Sequence, residues 1–299
     1  MSFFGPISPP ALNEASTPII RWALHRARVV GNFAFVQAIV QVVGFLSGIL
    51  LIRYLDQREY AYFTIANTMQ GTLNLLADMG ISVGVVSIGG RVWQDRHRFG
   101  QLIKTAVGLR RKLGFVSVLI AVPILYYLLV KNGASTTYTA LIIAAVLVGL
   151  ATQLALGVLA AVPRLLSDVR RIQTIDLVGA AMRFLVLATL MFLFLNSVVA
   201  VMVGSATLML QYWMMRRYAA GVIDLDAPEN QEDRIEMQRL MRHLFANAIF
   251  YCFQGQITVF LISFFGRNVA SVAEVGALGR LAMVLTVLTN LLTNIFGPA

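Results

Sequence analysis

The feature that most constrains this chain is an apolar run that recurs along it, each time near the ~20 residues an α-helix needs to cross ~30 Å of hydrocarbon. In lipid every backbone N–H and C=O must find a partner within the protein, which leaves helices or closed barrels. The alternating pattern of a membrane barrel is absent. The reading is therefore an all-α polytopic membrane protein, with eight spans at 29–52, 60–89, 113–130, 139–162, 173–194, 197–215, 244–265 and 276–296. Composition agrees: 58% of residues are hydrophobic and 13% charged. A soluble domain carries about twice that charged fraction.

Charge gives the expected topology. Of the 24 Lys and Arg, 18 fall in the amino-terminal segment, the 90–112 loop, residues 163–172 and residues 216–243, all on one side of the spans. The opposite connections hold four, Arg53, Arg58, Lys131 and Arg267, while Arg183 and Arg280 fall inside spans. Lys and Arg accumulate on the cytoplasmic side, so both termini are expected there. The same rule accounts for the net charge of +10, and no nucleic-acid partner is expected because no RNA- or DNA-binding motif accompanies it. Cys252 is the only cysteine, which excludes an intrachain disulfide and a cysteine zinc cluster. The first 28 residues lack the apolar core of a secretory signal. Residues 19–28 are expected to form a short basic helix on the cytoplasmic face, with Trp22 and Leu24 at the interface.

The expected organisation is a cytoplasmic segment (1–28), a six-helix lobe (29–215), a cytoplasmic linker (216–243) and the start of a second lobe (244–299). The linker is polar around Asp224, Asp226 and Pro228, then places Met237, Leu240, Met241 and Leu244 at helical spacing beside its charges, so a cytoplasmic linker helix leading into span seven is expected. A weak repeat supports the division, with Glu59, Tyr60 and Ala61 opening span two as Glu274, Val275 and Gly276 open span eight.

Charged groups at a bilayer centre cost about 2.5–3.5 kcal/mol on insertion scales, so each needs a reason. Arg183 lies near the middle of span five and shares a face with Asp176, Gly179 and Ala180. It is a candidate to line a hydrated cavity and attract an anionic group; the alternative is an ion pair with Asp78 on another span. Arg280, about a turn into span eight, is a second candidate that can also snorkel to the interface. Polar stripes mark other spans: Gln37 and Gln41 in span one; Asn67, Asn74 and Asp78 in span two; Asn247, Tyr251 and Gln254 in span seven. Each fits interhelical packing, and together they favour one shared cavity. Asp78 and Asp176 are also candidates for a bound proton or sodium ion. His25, His97 and His243 all fall in cytoplasmic segments, and phosphate-loop, metal-binding histidine and nucleophile-elbow motifs are absent. No catalytic residue, metal or cofactor is expected, and the Asp224/Asp226 pair reads as solvated charge.

Residues 44–89 add a resemblance. Arg53 and Leu55 end span one, Glu59 and Tyr60 open span two, and Asp78, Gly80 and Ile81 follow. This pattern resembles the first two spans of Wzx-like polysaccharide flippases, in the multidrug/oligosaccharidyl-lipid/polysaccharide exporter superfamily, with Ala61 departing from the usual glycine. The resemblance implies two lobes, alternating access, and movement of a polyprenyl-diphosphate-linked oligosaccharide across a bacterial inner membrane. Its implied partners are that lipid-linked oligosaccharide, membrane lipids and other polysaccharide-assembly proteins. It also implies a chain cut short, since the sequence stops directly after span eight. A membrane-embedded glycan polymerase, ligase or acyltransferase, or a small-molecule exporter of the same fold, are the competing expectations.

Overall fold

A computed structural model describes residues 16–192, 195–266 and 269–279, and within them the side chains other than those of residues 16–34, 169, 248 and 251–256. The described elements are helical: α1 (Ser16–Tyr54), α2 (Gln57–Asp78), α3 (Ile81–Val92), α4 (Arg96–Lys131), α5 (Thr136–Leu159), α6 (Ala161–Leu165), α7 (Val169–Leu190), α8 (Ser197–Val222), α9 (Gln231–Phe265) and α10 (Val269–Gly279). Among the described residues five stretches are long and apolar enough to cross a bilayer: Phe35–Tyr54, Arg96–Lys131, Thr136–Leu165, Arg170–Leu190 and Ser197–Val222. The pair α2 and α3, bent by 45° at its break, makes up to a sixth. The expected spans seven and eight fall within α9 and from within α10 onward, partly beyond the described residues.

Several boundaries differ from the expectation, each for a local reason. The basic 19–28 stretch is no separate helix but the first turns of α1, because neither proline nor glycine interrupts it before Gly31. Span two is broken where Met79 and Gly80 both take left-handed backbone, at φ 34° and 89°. A side chain at Gly80 would also collide with Leu244 of α9. The basic 90–112 segment is no loop. Asp95 caps α4 by accepting from the backbone N–H groups of His97 and Arg98 (2.9 and 3.1 Å), and the helix runs unbroken from there to Lys131. In the 216–243 linker the expected helix into span seven is present as the start of α9, capped by Asn230, while α8 runs past the expected end of span six to Val222.

Two apolar clusters stack along the bundle. One joins Leu51, Phe63, Leu73, Leu125, Ile142 and Val201. The other joins Ile81, Val85, Phe99, Leu102, Val162 and Met237, and so includes α3, the start of α4 and the start of α9. Between them α2 contributes Asn74 and Asp78, and α4 contributes Arg110. α10 closes on α2, where Gly276 leaves no room for a Cβ beside Thr64.

The 223–243 segment is docked rather than free. Arg98 grips the buried Asp233 through two hydrogen bonds (2.5 and 2.8 Å), and Arg91 meets Glu236 at 2.6 Å. His97 meets the exposed Asp224 at 2.9 Å, and that contact, with the Asp226 N–H, holds the Asp224 carboxyl below the usual carboxylate range. The Asn230 N–H donates to Thr105 Oγ1 (2.8 Å). Gly100 makes the approach possible, since a Cβ there would overlap the Asp224 backbone carbonyl. Gly100→Ala is expected to cost about 1–3 kcal/mol through overpacking. Gly90→Ala, where a Cβ meets nothing within 4 Å, is the matched control. Thermal unfolding of the purified chain in detergent separates the two, and equal midpoints would refute the docking argument.

Candidate functional site

The polar residues of five helices converge on a cavity of ≈ 620 Å³. α1 contributes Gln37, Gln41, Gly44 and Ser47; α2 contributes Phe63, Asn67 and Gln70; α5 contributes Gln153. α7 contributes Asp176, Gly179, Ala180 and Arg183, and α8 contributes Gly204, Thr207 and Gln211. Local sequence explains the space. α1 packs along α7, and at Gly44 and Gly204 a Cβ would meet no neighbour within 4 Å, so both glycines border open volume. Gly179 instead is filled by Gln211, which crosses from α8 and reaches the Ile175 carbonyl at 3.4 Å. A bridge from Gln70 Nε2 to Gln153 Oε1 (3.2 Å) ties α2 to α5 at the wall.

Five of the residues singled out from sequence therefore meet: Gln37, Gln41, Asn67, Asp176 and Arg183. Asn74 and Asp78 do not line the cavity. They hold Arg110, whose Nη2 donates to Asn74 Oδ1 at 2.9 Å and whose Nη1 lies 3.4 Å from the Asp78 carboxylate. Asp78 also accepts from Ser82 Oγ at 2.6 Å. Asp78, the acid considered as a partner for Arg183, thus faces Arg110. Arg110 is 4% exposed and its guanidinium lies against Gly157, where a side chain would displace it. Asn247 is exposed and does not line the cavity. The Tyr251 and Gln254 side chains, and Arg280 entirely, lie outside the described residues.

The sequence reading missed Gln70, Gln153 and Gln211. Gln70 lies three residues from Asn67, on the adjoining edge of the same stripe, and Gln153 is the single carboxamide of its span, so both carried a usable signal. Arg110 was hidden by its neighbours Arg111 and Lys112, with which it reads as loop charge.

A second hollow, ≈ 600 Å³, lies where α2 begins and α4 meets α5, lined by Asp56, Glu59, Tyr62 and Tyr138 among others. Its central acid has a structural task. Glu59 accepts from the Tyr138 hydroxyl and from the Ser197 backbone N–H (2.8 Å), placing a carboxylate at the N-terminus of α8.

Six carboxamides, Gln37, Gln41, Asn67, Gln70, Gln153 and Gln211, surround one guanidinium and one carboxylate. Each carboxamide both donates and accepts, which suits hydroxyl and amide groups; the guanidinium donates only, which suits an anion. The fold and its apolar helices define an all-α polytopic membrane protein. No family model matches the sequence, and no curated protein or solved structure matches it.

Proposed function

We propose that the chain is a membrane transporter rather than an enzyme, a Wzx-like flippase that carries a polyprenyl-diphosphate-linked oligosaccharide from the cytoplasmic to the outer face of a bacterial inner membrane. The observation that carries this reading is the cavity, in which Arg183 and six carboxamides lie among helices long enough to span a bilayer. Arg183 would hold the diphosphate or an acidic sugar, the carboxamides would solvate the glycan, and the lipid tail would stay in the bilayer. Access would alternate between the two faces as the helices around the cavity exchange packing. The Lys and Arg count supports a cytoplasmic position for both termini in this reading.

Deleting the gene is expected to make lipid-linked oligosaccharide accumulate on the cytoplasmic face, and re-expression of the full chain to clear it. Unchanged lipid-linked oligosaccharide, or glycan transfer catalysed by the purified protein, would overturn the proposal. Sensitivity to small toxic compounds without glycan accumulation would move the cargo to a different class.

A further inference from the structure

The basic ends of α7 and α8 form a surface that the cavity does not use. Arg170 and Arg171 are exposed at the start of α7, and Arg216 and Arg217 are exposed near the end of α8. Among the described residues none of the four forms an ion pair. The nearby acid, Asp168, accepts the backbone N–H of Arg171 at 3.2 Å as the cap of α7. Two of the arginines rest on aromatic faces: Arg171 lies 5.1 Å from the Tyr218 ring centre, and Arg217 lies 5.6 Å from that of Trp213. Trp213 is 56% exposed.

Depth matters as much as charge. Arg170–Leu190 and Ser197–Val222 are both apolar enough to span a bilayer. Counting from Ser197, ~20 residues at 1.5 Å each cover the ~30 Å hydrocarbon and reach Arg216 and Arg217. Trp213, one turn earlier, then sits at the level where indole rings favour the interface. A stacked guanidinium keeps its edge N–H groups free while its face is covered, so each can still donate to a phosphate oxygen.

We propose that this surface is a binding site for the headgroups of anionic phospholipids in the leaflet on the basic side of the protein. The four arginines supply the charge, Tyr218 and Trp213 hold two of them in place, and the apolar faces of α7 and α8 receive the acyl chains. The site depends on membrane insertion and not on the cargo of the cavity, so it stands or falls separately from the flippase reading.

The test uses the full-length protein, delipidated in detergent and titrated with phosphatidylglycerol or phosphatidylcholine under native mass spectrometry. The wild type is expected to retain phosphatidylglycerol preferentially. A variant with Arg170, Arg171, Arg216 and Arg217 all replaced by Gln should bind it at least about tenfold more weakly, since each basic group near an anionic surface adds to the attraction. A charge-matched variant with Arg111, Lys112, Arg239 and Arg242 replaced by Gln should bind as the wild type does. Equal retention of the two lipids, equal loss in both variants, or full competition by millimolar inorganic phosphate would each overturn the proposal. A circular dichroism spectrum matching the wild type shows that weaker binding is not unfolding.

Discussion

Arg110→Ala is expected to destabilise the bundle by about 3–5 kcal/mol, the range found when one partner of a buried ion pair is removed and the other stays uncompensated. The residue left behind is Asp78, whose side chain is 25% exposed and, among the described residues, keeps the Ser82 hydroxyl as its hydrogen-bond donor. Removing both charges should cost much less. Asp78→Asn with Arg110→Met retains an acceptor for Ser82 and fills much of the space beside Gly157 with an apolar chain. Thermal or denaturant unfolding of the single and double variants in detergent gives the coupling directly. A loss below about 0.5 kcal/mol for Arg110→Ala, the size of an ordinary surface substitution, would show that the pair does not hold α2 to α4. Gly157→Ala provides a second route to the same contact, because the new methyl would push the guanidinium away from Asn74.

The second large effect belongs to Arg183. If this side chain binds an anionic group in the cavity, Arg183→Ala removes a charge-assisted contact of about 1.5–3 kcal/mol. At 1.4 kcal/mol per factor of ten, export or cargo affinity falls roughly 10- to 100-fold. Arg183→Lys keeps the charge but not the planar fork, so it should restore only part of the loss. The measurement is glycan export in cells expressing equal amounts of membrane-inserted variant. Full export by Arg183→Ala at wild-type abundance would remove Arg183 from the site. Gly44→Ala is a useful companion, since its new methyl enters open volume beside the cavity and is expected to leave stability unchanged.

Much of the site was legible because helical spacing reports which residues share a face. Asp176, Gly179, Ala180 and Arg183 do converge on one cavity, and so do Gln37 and Gln41. Spacing does not report depth or neighbour. Asn67 and Asp78 share a face of α2, but 11 residues at 1.5 Å set them about 16 Å apart along its axis. One reaches the cavity and the other reaches α4. Likewise, the sequence marks 90–112 as basic without showing that only 93–95 leave the helix. Once α4 begins at Arg96, its 100° step per residue turns Arg110 inward while Arg111 and Lys112 remain exposed. The docking of the 223–243 segment was illegible for a related reason. Its contacts pair Arg98 with Asp233 and His97 with Asp224, more than 120 residues away in sequence, and local composition says nothing about such pairs.

The polar level between the two apolar clusters has a consequence for how the protein tolerates change. The two clusters have no buried side chain in common, so a volume lost in one is not made good by repacking within the other. Each half must therefore retain a well-filled core of its own, while the two remain free to drift apart in sequence. Asn74, Asp78, Arg110 and Gly157 form the polar contact that lies between them.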